Sequence, residues 1–251
     1  MLKKLLKYDF KSGIRIFGFM WIAIAVVTGL VTLIFSLMSN DSPAKMIAGT
    51  MTILPIALAI AGAVSFPYIF AAVRFHKGLL GREGYLMFTL PSSPWKLLTS
   101  KLISSLVFAV VTMMLSLLGV GIILRAIFSQ LIRGDLGDFS TIMGSSGWDR
   151  VLTLINALIT LTTGMLQIYV ALCIGHLFRG KRVLWAVLIY FGISMVTSII
   201  SLVMEIVVLS NGDVATATDT VMYMSLPLNL GLGILYFFLS ERILRTRLNL
   251  E

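Results

Sequence analysis

Two short motifs contain residues whose types and spacing could do chemistry. The first, Gly175-x4-Gly180-Lys181, matches most of a phosphate-binding loop, in which backbone amides hold phosphates and a Ser or Thr after the lysine binds Mg²⁺. Here the next residue is Arg182, and Gly175 ends an apolar helical stretch instead of following a strand. The motif therefore predicts no ATP site in this chain.

The second motif, GSSG at residues 144–147, matches the G-x-S-G of intramembrane serine proteases. A serine nucleophile needs a base within about 3 Å, but both histidines, His76 and His176, are expected on the opposite side of the membrane. We therefore predict no catalytic residue. With one cysteine and two histidines in the chain, a disulfide framework and a metal site with several His or Cys ligands are also excluded.

The apolar composition of the chain predicts that membrane-spanning helices position these residues. Of the 251 residues, 58% are apolar and 12% are charged, whereas a soluble domain has roughly 45–50% apolar and about 25% charged residues. A membrane-spanning helix needs roughly 20 apolar residues. Six runs qualify, and the sequence predicts an all-α polytopic membrane protein with a single transmembrane domain over residues 1–251; the spans are 16–38, 46–73, 102–124, 151–177, 183–209 and 221–239.

The basic residues predict how these spans are oriented. Of the 20 Lys and Arg residues, 16 fall in the segments 1–15, 74–101, 178–182 and 240–251. Basic residues accumulate on the cytoplasmic side of membrane proteins. The sequence therefore predicts cytoplasmic N- and C-termini and a cytoplasmic loop at 74–101, and its positive charge needs no nucleic-acid partner.

The N-terminal segment, residues 1–15, has an amphipathic pattern. Lys3, Lys7, Lys11 and Arg15 recur every four residues, and apolar side chains occupy the other side. This pattern predicts an interfacial helix against the lipid bilayer, although a basic flank that simply marks the cytoplasmic side would look similar.

Three polar residues of the predicted spans are candidates for a functional role. Glu205 is near the outer end of the fifth span, so it is either structural or part of a pathway or a subunit contact. Asn156 and Gln167 lie in the fourth span, where they either form hydrogen bonds between helices or line a substrate route.

The loop 74–101 has the pattern of a helix, a turn and a new helix start. Glycines at 78, 81 and 84 precede the apolar run 85–90, and Ser-Ser-Pro-Trp at 92–95 is typical of a helix start. A short apolar helix on the cytoplasmic side contacts either the lipid interface or a groove on a partner protein.

The residues of this loop are similar to a known family. The run EGYLMFTLP at 83–91, followed by KLL at 96–98 and SK at 100–101, resembles the first intracellular loop of bacterial type-2 ABC transporter permeases. The opening LKYDFK at 6–11, with Gly13 and Arg15, is similar to the amphipathic N-terminal helix of that family. The family consists of the six-helix membrane subunits of ABC exporters.

The resemblance implies a division of labour between subunits. Two permease subunits, identical or related, would form a translocation pathway in the bacterial cytoplasmic (plasma) membrane. Separate ATP-binding cassette ATPase subunits would bind ATP and Mg²⁺, leaving no cofactor and no ATPase site in this chain. Peptides, lipids or drug-like amphiphiles would suit the apolar spans. The residues mapped to ATPase coupling are Arg82, Glu83, Tyr85, Leu86, Phe88 and Leu90.

Two other classes of protein remain open at this stage. An ion-coupled secondary transporter usually has ionisable groups and broken helices near the midplane of the membrane, whereas this chain offers the off-centre Glu205 and a proline at position 55. A non-transporting membrane scaffold or sensor subunit would use the same loop to hold a partner.

Overall fold

A computed structural model of the protein describes residues 2–37, 61–80, 94–131, 147–178, 180–211 and 214–246. Within these ranges the chain forms helices and short turns and contains no strand. The helices are α1 (Leu2–Leu37), α2 (residues 61–75, continued by a π-helical turn at His76–Leu80), α3 (Pro94–Leu131), α4 (Gly147–Gly175), α5 (Arg182–Asn211) and α6 (Val214–Thr246).

Five of these helices are long and apolar enough to cross a membrane. Their apolar stretches are Tyr8–Leu33 in α1, Trp95–Ile123 in α3, Val151–Gly175 in α4, Arg182–Val208 in α5 and Tyr223–Arg245 in α6. The prediction of an all-helical chain with several spans is therefore confirmed. Of the predicted second span, residues 61–73 belong to α2 and residues 46–60 lie outside the described residues.

The boundary predicted between an interfacial helix at 1–15 and a first span at 16–38 is absent. Helix α1 continues without a break from Leu2 to Leu37, and at 1.5 Å per residue it is about 54 Å long, well beyond a bilayer core of about 30 Å. Lys3 and Lys7 belong to its first turns, and Lys11 and Arg15 are exposed. Between its two ends, an unbroken helix satisfies its backbone N–H and C=O groups by intrahelical hydrogen bonds.

Helices α1 and α3 run parallel and pack through aromatic rings. Phe17 of α1 stacks on Phe108 of α3 with ring centroids 4.6 Å apart, and Trp21 Nε1 donates a hydrogen bond of 3.1 Å to Thr112 Oγ1. Gly13 lies against the Phe108 ring, so a Cβ at this position would overlap it. The missing side chain at Gly13 therefore allows the two helices to approach this closely.

Helices α4 and α6 also run parallel. Asn156 Nδ2 donates a hydrogen bond of 3.1 Å to Ser225 Oγ, and two turns further along, Thr163 Oγ1 donates one of 2.9 Å to the backbone oxygen of Asn229. Polar side chains of this kind hold transmembrane helices together where the surrounding lipid offers no hydrogen-bond partner.

Helix α5 returns antiparallel along α4 after a tight turn. Gly180 has a φ of 124°, a conformation that glycine adopts without steric cost. Across the turn, Gly175 of α4 packs directly on Ala186 of α5, and a Cβ added at Gly175 would lie 2.6 Å from the Ala186 backbone nitrogen. Further along, Gln167 Nε2 donates a hydrogen bond of 2.8 Å to Ser194 Oγ.

Helix α2 joins the α1–α3 pair to the helices α4, α5 and α6. The Phe75 ring stacks on the Tyr169 ring of α4 with centroids 4.3 Å apart, and the Tyr169 hydroxyl lies 3.3 Å from Ser105 Oγ of α3. Both aromatic side chains are fully buried. The core of the molecule is therefore formed where α2, α3 and α4 meet.

Candidate functional site

The helix ends that meet at one end of the bundle form a surface that we call the basic pole. Its buried core joins Leu79 at the end of α2, Leu97 at the start of α3, Cys173 at the end of α4, Ala186 at the start of α5 and Leu244 at the end of α6. The start of α1 joins the same pole through the cluster described next. Exposed basic side chains cover this pole: Lys11, Arg15, Lys77, Lys96, Lys181, Arg182, Arg242 and Arg245.

A buried group of charges ties α1, α2 and α3 together, and we call it the Asp9 cluster. Asp9 Oδ1 accepts a hydrogen bond of 2.6 Å from Arg74 Nη2 and one of 2.8 Å from Lys101 Nζ. Ser100 Oγ donates to Asp9 Oδ2 at 3.3 Å. The side chains of Asp9, Arg74 and Lys101 are only 10%, 13% and 9% exposed, so water contributes little to their solvation.

The Asp9 cluster contains two cations and one carboxylate. Arg74 also stacks its guanidinium 5.4 Å from the centre of the Phe70 ring, an attractive cation–π contact. Its Nη1 is buried and has no hydrogen-bond partner among the described residues. Because a buried charge is costly when it loses its counter-ion, Asp9 is the group that makes this arrangement tolerable.

The local sequence of α3 explains why the helices can meet here. Ser104 and Ser105 both turn their hydroxyls back onto the Lys101 carbonyl, at 3.0 and 2.8 Å. These small residues satisfy their own polar groups within the helix and leave room for Tyr169 of α4. The Asp9 cluster and the stacked Phe75–Tyr169 pair are therefore adjacent through α3.

A second polar feature of the basic pole is an open cleft between α2 and the α4–α5 turn. The rings of His76 and His176 lie 5.0 Å apart in it, and Lys181 and Arg182 line the same cleft, whose volume is about 740 Å³. Among the described residues no three His, Cys, Asp or Glu side chains come together as a metal site. The cleft is therefore a basic site, which we call the histidine cleft.

Burial lowers the pKa of His176, and the neighbouring His76 and Arg182 lower it further. A hydrogen bond of 3.1 Å between Nδ1 and the Leu172 carbonyl opposes this shift. Because a carbonyl can only accept a hydrogen bond, Nδ1 of His176 carries the proton in this contact. The lowered pKa favours the neutral ring of His176.

The structure separates the polar residues predicted within the spans. Asn156 contacts α6 and Gln167 contacts α5 through the hydrogen bonds described above. Glu205 is exposed on α5, about 35 Å along that helix from Arg182 at 1.5 Å per residue. The three residues do not form a common site.

The six residues mapped to ATPase coupling, between Arg82 and Leu90, lie outside the described residues. The helices on either side of them are described: α2 ends at Leu80 and α3 begins at Pro94. Both of these ends belong to the basic pole, and Arg74 and Lys101, the basic residues that bracket the predicted loop, are the two cations of the Asp9 cluster.

Comparison of the chain with family models, with curated proteins and with solved structures finds no match. Its class consequently rests on the fold alone. The helical bundle with five membrane-length apolar helices identifies it as a multi-pass membrane protein.

Sequence reasoning missed both polar features of the basic pole. For the histidine cleft there was a usable signal, because His76 and His176 each lie at the predicted cytoplasmic end of a span, which places them at the same depth. For the Asp9 cluster the signal was weaker: Asp9 is an acidic residue among basic ones in the first 15 residues.

Proposed function

We propose that this protein is the permease subunit of an ATP-binding cassette exporter, driven by a separate ATPase that acts on the loop 74–101. The resemblance of residues 83–101 and 6–15 to type-2 permeases suggests the class. The observation that carries the proposal is that one carboxylate, Asp9, binds both cations that bracket this loop.

The Asp9 cluster would serve as a mechanical joint. A partner that displaces the segment between α2 and α3 pulls on Arg74 and Lys101 together, because both hydrogen-bond the same Asp9 oxygen. The movement therefore reaches α1 as well as α2 and α3. Transport requires that movement at the site of ATP hydrolysis reach the membrane helices. Packed helices can transmit this movement because they shift as rigid bodies.

The positive-inside rule supports the orientation that this mechanism needs. The exposed cations of the basic pole would face the cytoplasm, where the ATPase subunits bind ATP and Mg²⁺. The family resemblance is also our ground for placing the protein in the bacterial cytoplasmic membrane. The exported substrate would be a peptide, lipid or drug-like amphiphile.

A second permease subunit, identical or related, would complete the pathway. Between Ala186 and Val208 no residue of α5 is buried, so this helix has a free face for lipid or for another subunit. Glu205 is exposed on it, and a carboxylate facing lipid is costly. We therefore assign Glu205 to a subunit contact, and Asn156 and Gln167 to contacts between helices.

The placement of charges disfavours an ion-coupled secondary transporter. Such transporters bind their coupling ion near the midplane. In the described spans the buried acid, Asp9, is at the basic pole, and Glu205 is near the far end of α5. No acidic side chain of the described ranges lies midway along a span.

Purification of the tagged protein from its native membrane in mild detergent tests the proposal. We expect a stoichiometric ATPase to co-purify, and to be lost in Phe88→Ala but retained in Trp148→Ala, which removes an exposed aromatic at the opposite end of α4. Asp9→Asn should keep the ATPase bound while weakening its stimulation by the permease. A clean preparation without an ATPase would contradict the proposal and favour a scaffold or a secondary transporter.

A further inference from the structure

The histidine cleft continues into an apolar groove in the membrane-spanning part of the bundle. The groove has a volume of about 420 Å³ and lies between α2 and α5, with α4 as its floor. Val183 and Val187 line both the cleft and the groove. A single elongated molecule could therefore occupy the two together.

Small residues create this groove. Ala72 of α2, Ala171 of α4 and Ala186 of α5 line its walls and floor, and Ile69 and Tyr190 mark its far part. None of these lining positions carries a formal charge. The groove therefore suits a hydrocarbon chain, whose transfer out of water is favourable in proportion to its apolar area.

The length of the groove matches one leaflet of a bilayer. Tyr190 lies eight residues beyond Arg182 on α5, which corresponds to about 12 Å at 1.5 Å per residue. Half of a hydrocarbon core of about 30 Å is about 15 Å. A chain that begins at the histidine cleft and follows the groove would thus end near the middle of the membrane.

The mouth of the groove is lined by basic side chains. Lys181 and Arg182 are exposed there, and neither forms an ion pair with any acid of the described residues. The rings of His76 and His176 line the same mouth. No Asp or Glu lines this part of the described structure.

We propose that the histidine cleft and the adjoining groove bind an anionic phospholipid of the inner leaflet. Its phosphate lies between His176, Lys181 and Arg182, and one acyl chain runs along the groove past Val187. Basic pockets between transmembrane helices on the cytoplasmic side recognise phospholipid head groups in this way. The lipid would contact both α2 and α5, which line the groove.

Native mass spectrometry of the full-length protein in mild detergent tests this site. The protein is titrated with phosphatidylglycerol and with phosphatidylcholine of the same acyl chains. The difference between the two affinities reports the contribution of head-group charge, since the acyl chains are the same. We expect one phosphatidylglycerol to remain bound per chain and to bind at least tenfold more tightly than phosphatidylcholine.

Two pairs of variants with matched controls separate the head-group cleft from the groove. Lys181→Gln/Arg182→Gln should weaken phosphatidylglycerol binding by about fivefold for each charge, from about 1 kcal/mol per cation near a membrane surface. Arg15→Gln/Arg245→Gln, which removes two exposed cations of the same pole, should leave it unchanged. Val187→Trp should block both lipids, whereas Val196→Trp, on the same helix and outside the groove, should block neither.

Three outcomes would overturn the proposal. One is equal affinity for the two lipids, and another is an equal loss of binding in the Lys181/Arg182 variant and its control. The third is displacement by millimolar inorganic phosphate with no effect of Val187→Trp, which would make the cleft a site for a free anion. Unchanged melting temperatures of the lipid-free variants serve to exclude misfolding as the cause.

Discussion

Replacing Asp9 with asparagine removes the carboxylate that compensates Arg74 and Lys101 and leaves the shape of the side chain almost unchanged. All three side chains are at most 13% exposed, and Arg74 Nη1 is already without a hydrogen-bond partner in the described structure. Breaking a buried ion pair by removing one partner costs about 3–5 kcal/mol. At about 2–4 °C per kcal/mol for a domain of this size, Asp9→Asn should lower the melting temperature by about 6–20 °C.

Thermal unfolding of the purified protein, followed by fluorescence or by size-exclusion profile after heating, measures this loss. Lys11→Gln on the same helix is the matched control, because its side chain is exposed and surface changes of this kind stay within about 0.5 kcal/mol. The double variant Asp9→Asn/Lys101→Met should recover part of the loss, since it removes one of the two unpaired cations. A melting temperature for Asp9→Asn within 2 °C of the parent protein would refute the reasoning.

Three further predictions concern the α4–α5 region. Gly175→Ala should destabilise the protein by about 1–3 kcal/mol because the new Cβ would meet the Ala186 backbone. Gly192→Ala, with open space around it, should not destabilise the protein, and equal melting temperatures of the two variants would contradict this packing. Cys173 is fully buried, so maleimide should label it only after denaturation, and rapid labelling of the folded protein would show the core to be open. Because burial lowers the pKa of His176, the unfolded chain binds protons more readily than the folded one. The lipid-free protein should therefore lose stability as the pH falls from about 7.5 through the usual histidine pKa of about 6.5. His176→Asn should flatten this dependence, and an identical pH profile of stability in the variant would contradict the prediction.

The helices were predictable because lipid leaves the chain few alternatives. Long apolar runs must satisfy their backbone groups internally, so the runs at 102–124, 151–177, 183–209 and 221–239 correspond to α3, α4, α5 and α6. Their ends were less predictable: α3 extends over Pro94–Leu131 because polar and basic residues continue a helix beyond the apolar core. For the same reason the periodic lysines of residues 1–15 did not reveal that α1 is continuous with the first span.

The polar contacts were harder to predict because they join residues far apart in the sequence. Asp9 meets Lys101 across 92 positions, and hydropathy or charge counts carry no information on such a pairing. Arg74 and Lys101 were counted only as basic residues of a cytoplasmic loop, and this count does not reveal that both are nearly buried. Gln167 and Asn156 were expected either to form hydrogen bonds between helices or to line a substrate route, and their partners Ser194 and Ser225 required the structure.

The proposed function requires an ATPase that contacts the segment between α2 and α3. A photo-reactive phenylalanine analogue placed at Phe88, with Trp148 as the control position, tests it directly in native membranes. The proposed function predicts that light produces an adduct with a nucleotide-binding subunit from position 88 and none from position 148, and that ATP changes its yield. Efficient insertion of the labelled protein with adducts to lipid alone at position 88 would contradict the proposed function.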